Sequence, residues 1–395
     1  MNKRSHQCLL AGFALAILAG FAFWQGPIDA APVMSAAVSS DGHYAITAHR
    51  DNQLVLWDLA SRERTTISDK ANIYSVDFVQ DKPVYVWQDL SNRVHIQAVS
   101  GEMLDEFKLP VPAYGHRLLA NLSDYYYSDI GWGIYHRTKN GETETVKKTD
   151  REAFKGFHKL LNLSIDNQAN FIVSAGSGEP KGFSEPYYKT LQEEHARAKQ
   201  YRLLNSVALW NLKTGNPIAK LNGNTSKTDA TISPDGQWVV SGDENGIGLF
   251  WNTDHPGQRH RLATLNFGIY RDEVPYEPDD RRKWDASKLI PAPPGTTDIT
   301  LAVAFIDHSD YFLRFGNNSH QAALFKAGSP WPRKYFDLGD SPQLVTYGSQ
   351  YSRNTAIATA PEAGVLVMGH RSGGGISVYR FDADNLTLKR TWVVE

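Results

Sequence analysis

The chain has 395 residues, with 41 Lys and Arg against 43 Asp and Glu, for a formal net charge of −2. The two signs are interspersed, so no basic patch marks a polyanion partner, and nucleic acid is excluded as the expected ligand. The one cysteine, Cys8, precedes the bulk of the chain, which leaves the remainder without disulfides or thiolate chemistry.

Lys3 and Arg4 stand before an uncharged, mostly apolar run at residues 8–25. A basic start followed by such a run predicts one N-terminal apolar helix within residues 1–30, acting as a signal anchor or a signal peptide. The run is slightly short for a span of about 20 residues. Ile28-Asp29-Ala30 before Ala31 is a mediocre cleavage site. The anchor is the preferred expectation, and a cleaved, soluble form is the alternative. In either case the basic start places residues 31–395 outside the cytoplasm.

Residues 34–68 read as four short strands. Ser39-Ser40-Asp41-Gly42 closes the first apolar run, and Arg50-Asp51-Asn52 precedes a third that ends in Trp57-Asp58. Alternating runs of four to six residues bounded by Asp, Gly and Asn predict antiparallel strands joined by tight turns. A sheet of four such strands cannot bury both faces alone and needs copies stacked beside it. A second full copy lies at residues 226–265. It holds Ser233-Pro234-Asp235-Gly236, an apolar run from Trp238, and Asn245-Gly246 leading into Leu249-Phe250-Trp251-Asn252. Trp210-Asn211 closes a comparable run.

At Trp57-Asp58, Trp210-Asn211, Trp251-Asn252 and the Asp41-Gly42 and Asp235-Gly236 turns, the sequence resembles the WD-repeat β-propeller family. Gly115-His116 adds the Gly-His dipeptide of that family once. The resemblance implies an all-β propeller following the N-terminal helix. At about 40–45 residues per blade, the chain suits seven four-stranded blades. Weak motifs in blades three and six leave six or eight open. Asp51 and Asp58 read as turn and strand-end hydrogen-bond acceptors.

In chain order, blade one covers residues 34–68 and blade two starts at Ile73. Blade three covers 113–150, with its first strand at 118–122. Blade four starts at Phe157 and is interrupted by an insertion at 176–205, within which 186–204 reads as helical. Glu193 and Arg197 there stand at i,i+4. Blade five is the second full copy. A Pro-rich, charged insertion follows at 266–297, then blade six at 298–339, an irregular segment at 340–353 and blade seven to the C-terminus.

In propellers of the family it resembles, loops joining second to third strands and loops joining successive blades emerge on one face. The three interruptions then rise together along blades four to seven. Loops of such length are uncommon unless functional or disordered. The expected partner-binding rim uses Tyr270, Tyr276, Trp284 and Trp331 as anchors and Arg281 and Arg282 as polar contacts, the residue types enriched at binding hot spots.

No His-Glu-x-x-His, P-loop or Gly-x-Ser-x-Gly pattern occurs. Gly373-Gly374-Gly375 reads as a turn before a strand. His95, His116, His308 and His370 could approach a central channel but read as structural. No catalytic, cofactor or metal residue is assigned. The expected function is a non-enzymatic scaffold of a bacterial envelope, anchored in the inner membrane with a periplasmic propeller and docking proteins of a membrane or envelope complex. The alternative is an exported enzyme or a small-ligand or metal binder that uses the central channel.

Overall fold

The computed structural model describes residues 31–394 apart from 114, 129–132, 139–142, 149–159, 177–206, 222, 225–227, 244, 267, 271–284, 297–299, 317–320, 340–355 and 371–372. The expected N-terminal helix lies outside the described residues, as does the expected helix at 186–204. Among the described residues no helix is long and apolar enough to cross a membrane.

Seven four-stranded antiparallel sheets follow one another along the chain. Blade one comprises Val33–Val38, Tyr44–His49, Leu54–Asp58 and Glu63–Ser68, and blade two Ala71–Phe78, Val84–Asp89, Arg93–Ala98 and Met103–Lys108. Blade three has Gly115–Leu118, Tyr125–Ser128, Gly133–Arg137 and Thr143–Lys148. Blade four has Leu160–Ile165, Phe171–Gly176, Val207–Asn211 and Pro217–Leu221. Blade five has Thr228–Ile232, Trp238–Asp243, Gly248–Asn252 and Arg259–Arg261. Blade six has Thr300–Asp307, Tyr311–Gly316, Gln321–Lys326 and Pro332–Asp337. Blade seven has Ile357–Ala360, Val365–Gly369, Ile376–Asp382 and Thr387–Val394. The seven-blade count expected from repeat spacing is the count observed.

The first strand of each blade touches the first strand of the next, and the first strand of blade seven touches that of blade one. These strands therefore form the inner ring. Seven hydrophobic clusters fill the seven blade interfaces, one in each. Period-two alternation explains the division. In blade one, Leu54 and Leu56 point towards blade two, while Val55 and Trp57 point towards blade seven. Both faces of a middle strand are thus buried, and middle strands read as continuous apolar runs. The fourth strand lies outermost and is less buried than the middle strands, as in Glu63–Ser68.

Among the described residues, each blade takes its four strands from one contiguous stretch, so no strand exchange closes the ring. Closure rests on side-chain packing and a backbone hydrogen bond between blade one and blade seven. Trp57 meets Trp392 edge to face at 6.1 Å, and Val33 N–H donates to His370 O at 2.9 Å.

Blade three corrects one expectation. Its first strand is Gly115–Leu118, not 118–122. Asn121 Oδ1 accepts from Ser123 N and Asp124 N, and Leu122 sits at φ 56°. An Asn that bonds its own following backbone makes a turn where apolar neighbours alone suggest a strand.

Candidate functional site

Turn chemistry fixes the two ends of the ring. At the end where the inner strands finish, blades one and five use the same lock. Ser39 Oγ donates to Asp41 Oδ1 at 2.6 Å, and Ser233 Oγ donates to Asp235 Oδ1 at 2.5 Å. Each carboxylate also accepts the backbone N–H two residues on, at 3.0 Å. Gly42 and Gly236 follow at φ 67° and 77°, a region that disfavours any side chain. At the opposite end, Asp51, Asp89 and Asp243 accept backbone N–H groups in the turns between second and third strands. Asp58 accepts from Ala60 N and Ser61 N at 2.9 Å, the strand-end role expected of it.

The three tryptophans of the repeat positions are buried. Trp57 Nε1 donates to Thr47 Oγ1 at 2.8 Å, and that hydroxyl contacts His49 Nε2 at 2.8 Å. Trp210 Nε1 donates to Ser174 Oγ at 2.9 Å. Thr47, His49 and Ser174 carry this network and were not singled out from the sequence. Their signal is a hydroxyl residue three places after the start of a second strand.

The inner strands enclose a cavity of about 570 Å³. Asp77 pairs with Arg117 across blades two and three, and Asp229 Oδ2 accepts Val303 N–H at 2.9 Å across blades five and six. Of the four scattered histidines, only two approach the cavity. His116 is buried beside it, with Nδ1 at 2.9 Å from Tyr125 Oη, and burial pushes its pKa down to about 4. His308 pairs with Glu362 at the cavity's rim. His95 instead stacks on Trp87, and His370 bonds Ser377 Oγ at 2.9 Å. Among the described residues, no three His, Cys, Asp or Glu side chains gather in a metal-ligating group.

The long interruptions leave from the other end. The blade-four interruption joins a second strand to a third, and the other two join blade five to six and blade six to seven. In antiparallel four-stranded sheets that succeed one another in chain order, both kinds of connection start at the end where the inner strands begin. The blade-five-to-six connector is more than an irregular loop. Ile269–Tyr270 pairs with Leu289–Ile290 in a two-stranded stem, with one 3-10 turn at Ala286–Lys288. Tyr335 of blade six holds its root: the phenol donates to Leu265 O at 2.8 Å and accepts from Gly268 N at 3.2 Å. Ala263 N–H donates to Pro330 O at 2.8 Å.

Of the expected anchors, Tyr270 lies in this stem, while Tyr276, Arg281, Arg282 and Trp284 lie outside the described residues. Trp331 requires correction. It is only 2 % exposed, so it belongs to the core and presents no ring to a partner. A tryptophan followed by Pro332 reads as a loop anchor in sequence, but it is buried where the fourth strand of blade six begins.

The sequence profile of the WD domain, G-beta repeat family matches residues 23–58 and 215–252. In structure the chain is similar to the β-propeller domain of Cps50 (Swd1) from Myceliophteria thermophila. The TM-score is 0.58, with 10 % identity over 90 % of this chain and 98 % of that one. At that identity the likeness concerns the fold. No curated protein sequence matches the chain.

Proposed function

From the premise that this chain is a WD-repeat β-propeller, we propose that it is a non-enzymatic scaffold that docks other proteins through the connectors of one face. Propellers of this family typically serve as protein-interaction scaffolds. The observation that carries the reading here is the rooted connector between blades five and six. Tyr335 holds the root of the stem, and between the two strands of that stem the sequence carries Tyr276, Arg281, Arg282 and Trp284. Fixing the two ends of a loop in advance lowers the ordering cost of binding, and Tyr, Trp and Arg are the side chains that most often supply binding energy.

The setting we propose is extracytoplasmic. Residues 8–25 tether the propeller to the inner membrane, Lys3 and Arg4 stay on the cytoplasmic side, and the partners belong to a membrane or envelope complex. The support is the order of charge and apolar run in the sequence.

The test is capture of partners from detergent-solubilised membranes. The intact chain is compared with a variant whose residues 271–284 are replaced by a short Gly-Ser linker, which spares the stem and the ring. Partners held by the intact chain and lost from the variant are the expected result. The same partners on both proteins would remove the connector from the function.

A further inference from the structure

The second strand of a blade carries a telling residue at its fourth position. In blades one and four this is Thr47 or Ser174, whose hydroxyl receives the indole N–H of Trp57 or Trp210. In blade five it is Ser241, bonded to Asn224 Oδ1 at 2.9 Å. In blade six it is Arg314. Phe325 there faces Phe312, as Trp57 faces Ala45 in blade one, so Phe325 fills the tryptophan place. Phenylalanine has no N–H to satisfy, and the hydroxyl is not needed.

Arg314 is fully buried. Its Nη1 donates to Ala263 O at 2.6 Å, and its Nη2 donates to Thr300 Oγ1 at 2.7 Å and Gly246 O at 3.4 Å. Its Cζ lies 5.4 Å from the Phe325 ring centre. Ala263 lies just past blade five's last strand, Arg259–Arg261, and Thr300 is the first residue of blade six. One guanidinium thus holds both ends of the connector that bears the stem. Gly248 makes the room: a Cβ there would lie 2.6 Å from Arg314 Cζ. The same place at the start of the third strand is Leu54 in blade one and Val207 in blade four. Gly248 and Arg314 are a matched pair across the interface of blades five and six.

Burying a cation is costly unless its donors are satisfied. The ring alone does not ask for one, since blade seven fills this strand position with buried Met368. We propose that Arg314 is a positioning residue for the interaction surface, fixing where the connector between blades five and six leaves and re-enters the ring. The proposal rests on the scaffold reading and deepens it, tying the presentation of the connector to one side chain.

Hydrogen exchange of the full chain tests it, with Arg314→Met and Thr300→Val beside the parent. Leu262 N–H is bonded to Gly248 O and Ala263 N–H to Pro330 O, so both amides report on the root. Arg314→Met is expected to speed their exchange about tenfold or more, the loss of charge-assisted bonds being local, while amides of blades one to three stay unchanged. Thr300→Val removes one acceptor and should shift the same amides less. Partner capture by Arg314→Met should fall with the root's protection. No rise at these amides, or an equal rise in every blade, overturns the proposal. If Arg314→Met does not fold, Thr300→Val decides alone: a rise confined to the root supports the clamp, and none refutes it. Exchange needs no partner, so this outcome stays separate from the scaffold reading, which the linker variant tests.

Discussion

The two ends of the ring are built by opposite rules. Where the inner strands finish, turns are short and braced to their neighbours. Asp81 N–H donates to Ser40 Oγ at 2.7 Å, Asn167 N–H to Pro234 O at 2.9 Å, and Asp235 N–H to Ser309 Oγ at 3.0 Å. Asn167 Nδ2 reaches from blade four to Glu362 Oε1 of blade seven at 3.0 Å, and Glu362 also pairs with His308 of blade six. Where the inner strands begin, three interruptions leave the ring, and the described root of one is gripped by Arg314 and Tyr335. A braced end holds the blades in register, so sequence can be added at the other end without disturbing them. Loops that carry function are placed by a rigid scaffold in this way.

The sharpest way to break the comparison is at Gly42. A Cβ there would lie 2.6 Å from Val365 Cγ2 and 2.9 Å from Ala363 Cβ, at φ 67°. Gly42→Ala should cost about 2–4 kcal/mol, from the left-handed backbone and the forced contact with blade seven. Urea unfolding would show it as a lower midpoint with an unchanged slope. A wild-type midpoint would mean the braced end yields more easily than its geometry implies.

Acid should act on the two ends in different windows. His370, between the second and third strands of blade seven, is pushed to about 4 by burial and by the nearby Arg390 charge. The unfolded chain takes up this proton near 6.5 and the folded chain does not, so stability falls as pH drops from about 6.5 towards about 4. At the braced end, partial burial opposes ionisation of Asp41, but bonds from Ser39 and His43 and the His43 charge hold its carboxyl below 3.8. That contribution is present above 3.8 and is lost only as pH falls further, through the folded value. Urea midpoints at pH 7, 5.5 and 4.5 should decline in the parent and decline less in His370→Gln. Equal declines would assign the first window to other groups, His116 foremost. The smallest effect belongs to the 271–284 linker variant, whose unfolding free energy should stay within about 0.5 kcal/mol of the parent because it alters no blade. A larger loss, read from the same urea curves, would show that the connector supports the ring as well as decorating it.

The fold was legible where local chemistry repeats. Ser-x-Asp-Gly recurs at Ser39 and Ser233 because one side chain, one carboxylate and one positive φ make the same turn each time. The tryptophans closing third strands were legible because a large buried ring leaves a large mark in composition. Blade three's first strand was misplaced because Leu118-Leu119-Ala120 is apolar while Asn121 decides the turn. The site was less legible. Trp331 is of a residue type that anchors interfaces, and only its burial in the folded chain shows it to be core.

By itself the sequence determined the strand rhythm, the repeated Asp-Gly turns, a blade count of six to eight and the places where the rhythm is interrupted. These are properties of neighbours along the chain, set by backbone sterics and by alternation of buried faces. The tertiary structure alone decided which residues meet across blades. Arg314 finds Ala263 O from 51 residues away and Gly246 O from 68. Nothing within either segment records that meeting, because a buried cation chooses its partners only once the low-dielectric interface around it has closed.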